Sequence, residues 1–267
     1  MPDMESPHLE LTRPRPEIAV ITLNRPEKLN ALSAQLVEDL HHTLDGLKSD
    51  NDCRVVVLTG AGRGFCAGLD LTDPDRPAVS AGLDTPRAGM RFQERIAELT
   101  VKLHRLRQPV IAAVNGPAYG GGFALAMASD IRVAARTARF CTQFIKLGIG
   151  GCDIGVSYTL PRIIGAGPAF DLILTARTVE ADEALRLGMV TRIAEDGAAL
   201  EDALAIADTL CGYGKFGLES TKQVLWANLD AGSLENALHV ENRSQILAGS
   251  SGEMRAFAEA FGQRKKR

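Results

Sequence analysis

The strongest constraint on what this chain can fold into is a set of short apolar runs that do not alternate with polar residues. Val55 to Leu58 and Val110 to Val114 are apolar without interruption, and Ile131 to Ala134 is broken only by Arg132. A strand with one wet face alternates, whereas a strand covered on both faces reads as a continuous apolar run. Ile18 to Leu23 reads as a further strand, ended by Asn24-Arg25-Pro26. Between these runs the spacing becomes helical. Ser33 is placed to cap a helix bearing Leu36, Val37, Leu40, Leu44 and Leu47 on one face. Phe92, Ile96, Leu99, Leu103 and Leu106 predict a second helix, which Pro109 stops. Strands alternating with helices give an α/β class.

The small-residue segment Phe123 to Ser129, and Glu180 to Leu187 before Gly188, predict further helices, with a short strand over Met189 to Ile193. Residues 72–89 hold three prolines and no apolar period, which predicts a mobile loop. From residue 198 onward three or four helices and no strand are expected. The chain therefore divides into a core over 1–197 and a helical C-terminal region over 198–267, with no strict internal repeat.

The bulk properties exclude several classes. A net charge of −3 with 24% charged residues gives no basic surface for nucleic acid. The basic tail Arg264 to Arg267 reads as a solvated end. No apolar run approaches the roughly 20 residues of a membrane span, and the N-terminus lacks a signal pattern. The five cysteines Cys53, Cys66, Cys141, Cys152 and Cys211 are scattered and lack zinc spacing, so a reduced, cytoplasmic protein is expected.

Two glycine-rich turns follow buried strands: Arg63-Gly64-Phe65-Cys66-Ala67-Gly68-Leu69-Asp70 and Asn115-Gly116-Pro117-Ala118-Tyr119-Gly120-Gly121-Gly122. Glycine permits a sharp turn and close approach of a ligand to the main chain. The second turn opens a helix, whose first N–H groups are unpaired and carry partial positive charge. Two such N–H groups aimed at one oxygen would form an oxyanion hole. Either turn alone reads first as an ordinary tight turn, and no phosphate-loop or dinucleotide spacing is present.

The four segments NRPEKLNAL (from Asn24), VVVLTGAGRGFCAGLD (from Val55), QPVIAAVNGPAYGGGFALAMASDIRVA (from Gln108) and ALRLGMVTRI (from Ala184) occur in this order. Together they resemble the crotonase family, the enoyl-CoA hydratase/isomerase superfamily, from about residue 9 to the C-terminus. The resemblance implies a spiral of ββα units with a C-terminal helical region, an assembly as a trimer or dimer of trimers, and an acyl-CoA thioester as substrate. No cofactor is implied, since coenzyme A is part of the substrate. The oxyanion-hole donors would be the N–H groups of Leu69 and Gly121. Lys28, Leu29, Ala67, Gly68, Asp70 and Gly120 would lie along the bound thioester and its nucleotide, and Phe257 would reach a CoA pocket.

The sequence departs from a hydratase at both acid–base positions. The glutamate two residues after the glycine triplet is Ala124 here, and the second aligns with Phe144. Such groups typically contribute about 10²–10⁴-fold each, so efficient hydration is not expected. Asp153, in Gly151-Cys152-Asp153-Ile154-Gly155, resembles the aspartate of dienoyl-CoA isomerases. It reads either as a proton shuttle or as a cap of its own loop. Two readings stay open: an enolate-forming isomerase, or a non-catalytic acyl-CoA-binding homologue. Cys66 and Cys152 have no evident histidine partner and read as packing residues. His104 reads as a surface residue, Tyr119 as either pocket or core, and Asp70 and Asp130 also as braces of their elements.

Overall fold

A computed structural model of the chain describes residues 6–74 and 85–255. Its strands are β1 (Leu9–Arg15), β2 (Ile18–Leu23), β3 (Val55–Gly60), β4 (Val110–Val114), β5 (Ala118–Tyr119), β6 (Ile131–Ala135), β7 (Arg139–Cys141), β8 (Val179–Glu180) and β9 (Arg192–Ala194). Its helices are α1 (Ala34–Ser49), α2 (Thr85–Arg105), α3 (Gly121–Ala128), α4 (Val156–Ile164), α5 (Ala166–Thr175), α6 (Ala181–Arg186), α7 (Ala199–Cys211), α8 (Lys215–Asn228) and α9 (Leu234–Ser250). Six strands form one sheet in the order β1-β2-β3-β4-β6-β9, antiparallel between β1 and β2 and parallel elsewhere. A second, small sheet joins β5, β7 and β8.

The unbroken apolar runs have the expected cause. Val56, Leu58, Ala112 and Val114 face one core together with α1, α2 and α3. Val55, Val57, Ile111 and Ala113 face the opposite side, covered by Ala199, Ala203, Ile206 and Ala207 of α7. Successive side chains of a strand point to opposite faces, so both sets must be apolar when both faces are covered. The oxygen of Ser33 accepts the N–H of Leu36 at 3.2 Å, the cap expected for α1.

Several points of the sequence reading need revision. Residues 85–89 are not loop but the start of α2; Pro86 is tolerated because the first turn of a helix needs no donor there. Of the predicted loop, residues 72–74 lie outside any helix or strand, and residues 75–84 lie outside the described residues. The strand expected over Met189 to Ile193 is displaced to β9, because Met189 and Val190 turn inward and are fully buried. Strand β1 was missed: its alternation is interrupted by Arg13, Pro14 and Arg15, and it is recognised by its pairing with β2.

His104 is not a surface residue. Its ring stacks on Trp226 with centroids 3.9 Å apart, and burial pushes its pKa down. The Trp226 indole N–H donates to Asp130 Oδ1 at 2.6 Å, and Lys222 Nζ lies 2.8 Å from Asp130 Oδ2. Lys222 Nζ also donates to the carbonyls of Leu103 and Gln108. Asp130 is thus a brace, as one sequence reading held, and it pins α8 to the sheet. Helix α9 buries no residue, and Leu234, Ile246 and Leu247 on it are exposed. No helix among the described residues is long and apolar enough to cross a membrane.

Candidate active site

The two glycine turns meet. A bridge pairs Cys66 with Ala118, and a second pairs Leu32 with Leu69. The N–H groups of Phe65 and Cys66 share the Pro117 carbonyl, each at 3.1 Å, and Tyr119 N–H donates to Cys66 O at 2.9 Å. Two asparagines hold the first turn rigid. Asn30 Nδ2 donates to the carbonyls of Ala61 and Gly64, and Asn115 Nδ2 to those of Gly60, Gly62 and Gly64. The fit leaves no room for side chains. A Cβ on Gly122 would lie 2.1 Å from Cys66 O, and one on Gly68 would lie 2.8 Å from Tyr119 O.

This pairing decides which N–H groups remain free. Leu32 N–H donates to Gly68 O at 2.7 Å, and Asp70 N–H donates to Leu32 O at 3.0 Å. Residues 68 and 70 therefore pair on one side, and the intervening Leu69 N–H points to the other. It has no acceptor among the described residues. Gly121 is the first residue of α3, and its N–H likewise has no acceptor among them. The turns are close enough that a Cβ on Gly121 would be 3.7 Å from Gly68 Cα.

Both residues open onto a cleft of about 590 Å³, a size typical of ligand pockets. Ala67, Gly68, Leu69, Gly120, Gly121, Phe144 and Asp153 all line it, with Leu32, Leu71, Ile96, Leu147, Ile149 and Ile154 supplying most of the apolar wall. Ala124 is buried and does not line it. Lys28 and Leu29 stand beside the cleft, not in its wall: Lys28 Nζ donates to Thr72 Oγ1 at 3.3 Å, and Leu29 O accepts from Ala67 N–H at 2.9 Å. Asp70 is almost fully buried and engaged within the protein, pairing with Arg25 at 2.9 Å and accepting from Thr72 N–H and Oγ1–H. Burial opposes its ionisation, but the hydrogen bonds from Thr72 and Arg25 outweigh it and hold its pKa at about 2. Phe257 lies outside the described residues.

Asp153 is half-buried. Its Oδ1 accepts the N–H of Ile154 at 2.7 Å and a hydrogen bond from Gln93 Nε2, while Oδ2 has no hydrogen-bond partner among the described residues. One oxygen thus caps the loop, and the residue also lines the cleft. Desolvation raises its pKa, against the lowering effect of the two donors. Ile154 adopts φ +46°, a conformation a β-branched residue rarely takes, and Gln143, beside Phe144, adopts φ +56°. Strained backbone of this kind concentrates at functional sites.

Gln93, Gly89 and Ile96 line the cleft from α2. The sequence reading missed Gln93. Its signal was a polar side chain at four- and three-residue spacing from Gly89 and Ile96, along one stripe of the helix. Tyr119 does not line the cleft. The Cys66 thiol is fully buried and pushed up to about 12 by burial, which suits packing rather than nucleophilic chemistry. Among the described residues no cluster of three or more His, Cys, Asp or Glu could hold a metal ion.

The six-stranded α/β core thus brings to one cleft a carboxylate and two residues whose N–H groups have no acceptor among the described residues. Residues 14–266 match the enoyl-CoA hydratase/isomerase family, and the chain belongs to it. It is 46% identical to a probable enoyl-CoA hydratase, EchA12, of Mycobacterium tuberculosis, over 87% of this chain and 82% of that protein. It is 37% identical to the 1,2-epoxyphenylacetyl-CoA isomerase of Escherichia coli, over 91% of each. A solved structure of a probable enoyl-CoA hydratase/isomerase from Mycobacterium abscessus superimposes with a TM-score of 0.86 at 41% identity, covering 97% of this chain and 96% of that one.

Proposed function

We propose that this enzyme shifts a double bond in an acyl-CoA thioester, or carries out a related proton transfer, and is a poor hydratase. The substrate carbonyl oxygen sits between the N–H groups of Leu69 and Gly121. Asp153 removes a proton from one carbon of the acyl chain. The resulting negative charge spreads onto the thioester oxygen, where the two donors stabilise it, each worth about 2.7–4 kcal/mol. Asp153 then returns the proton to a different carbon, so no water is consumed and no second acid–base group is needed.

The observation that carries this reading is the sharing of one cleft by the two free N–H groups and a carboxylate whose Oδ2 is unpartnered among the described residues. Hydration would require a positioned water and a second proton donor. Ala124 and Phe144, at the positions where the family resemblance places the hydratase glutamates, can supply neither. Relatives named as isomerase and as probable hydratase are both similar to this chain, so the preference for isomerisation rests on Ala124, Phe144 and Asp153. The apolar wall of Leu71, Ile96, Leu147 and Ile149 suits an aliphatic or aromatic acyl group. No cofactor is needed beyond the CoA of the substrate, and the exposed apolar residues of α8 and α9 suit assembly as a homotrimer or dimer of trimers.

The test is solvent-deuterium incorporation, followed by mass spectrometry, across enoyl-, dienoyl- and aryl-acyl-CoAs with wild type and Asp153→Asn. Incorporation by wild type alone supports the reading. Tight binding without exchange by either protein would sink it in favour of a binding homologue, and crotonyl-CoA hydration at the rate of an efficient hydratase would refute the claim of poor hydration.

A further inference from the structure

We infer that Gln93 is a positioning residue for this site: together with the N–H of Ile154 it fixes Asp153 Oδ1, leaving Oδ2 as the one oxygen that both takes and returns the proton. This rests on the isomerase reading above. Three observations support it. Gln93 Nε2 and Ile154 N–H both donate to the same oxygen, Oδ1, and Oδ2 has no partner among the described residues. Ile154 holds a left-handed backbone conformation at φ +46°, which orders the peptide immediately after the carboxylate. Gln93 and Asp153 come from separate walls of the cleft, α2 and the loop before α4, and both side chains line it.

A free carboxylate rotates about its last bond and presents either oxygen. Two donors on Oδ1 stop that rotation and withdraw electron density from it, so the better proton acceptor is Oδ2. A single fixed oxygen must collect and deliver the proton on the same face of the acyl chain. The proton balance closes: one proton leaves carbon for Oδ2, and one leaves Oδ2 for carbon. Gln93 exchanges none. Its amide does not titrate, so it orients the base without competing for the proton.

The test pairs Gln93→Met, which keeps length and apolar contact but removes the donor, with Asp153→Asn. In the variant, kcat for proton exchange is expected to fall about tenfold to a hundredfold with KM unchanged, the size of loss that misplacing a reacting group produces. Loss of a donor to the ionised carboxylate raises its pKa, so the acid limb of kcat/KM moves to higher pH. Titration of the Asp153 side-chain carbon by NMR in the free protein reads the same shift without any substrate. Equal titration midpoints in wild type and Gln93→Met overturn the inference, as does an unchanged kcat. If Gln93→Met matches wild type while Asp153→Asn is dead, the inference fails and the isomerase reading stands. If Asp153→Asn remains as active as wild type, the isomerase reading itself fails, and with it the role given to Gln93.

Discussion

Gly68 and Gly121 approach so closely that a methyl group on Gly68 would lie 3.2 Å from the Gly121 nitrogen. Gly68 also holds φ +92°, where a side chain is strained regardless of space. Gly68→Ala must therefore push the two turns apart beside Gly121 N, whose N–H has no acceptor among the described residues. The expected outcome is a loss of at least about 10²-fold in kcat, comparable to removing an oxyanion donor. Steady-state kinetics on the substrate found by deuterium exchange checks it, with circular dichroism to confirm folding.

The Arg25–Asp70 pair is predicted to stabilise the fold, not to bind substrate. Asp70→Asn leaves the Arg25 guanidinium mostly buried without its counter-charge, a change that typically costs about 3–5 kcal/mol. The pH dependence has a definite sign. The Asp70 pKa is held at about 2 in the folded protein, below the roughly 3.9 of an unfolded chain. Its contribution is thus fully present above about pH 4 and is lost as pH falls from about 4 to 2. Urea denaturation of wild type and variant between pH 7 and pH 2.5 should show the difference narrowing in that window.

Asp153 is predicted to behave in the opposite sense. Burial raises its pKa, so its charge costs folding free energy above the unfolded value and costs nothing once pH falls below it. Asp153→Asn is therefore expected to be more stable than wild type at pH 7, by about 0.5–1 kcal/mol as for other relieved functional sites, and equal to it near pH 3. Thermal melts at the two pH values decide this. A lower Tm at pH 7 would indicate a purely structural role for the carboxylate.

Lys222 anchors α8 through Asp130 and two backbone carbonyls. Lys222→Met preserves volume but leaves Asp130 without its cation, so a loss of about 3–5 kcal/mol is expected. Denaturant midpoints measure it. The cleft is formed by other elements, so any surviving folded fraction should retain its KM.

The sequence by itself determined the layers and marked the two glycine turns. Val55 to Leu58 and Val110 to Val114 announced strands covered on both sides, because burial of both faces is written into every residue of such a run. The glycines marked the turns around Leu69 and Gly121, because at Gly68 and Gly122 the facing backbone comes too close for a side chain. Strands β5, β7 and β8 escaped notice because two or three residues hold no period. His104 was misplaced because its partner, Trp226, is more than a hundred positions away.

Only the tertiary structure decided what Asp153 faces. The aspartate between glycines reads equally as a cap or a base, since both roles use the same side chain. What the structure adds is a glutamine 60 positions earlier in the chain, which joins Ile154 on one oxygen and leaves the other without a partner among the described residues. Local patterns record how a residue is buried. They do not record which distant residue arrives beside it, because that is fixed by how α2 packs against α1 and α3.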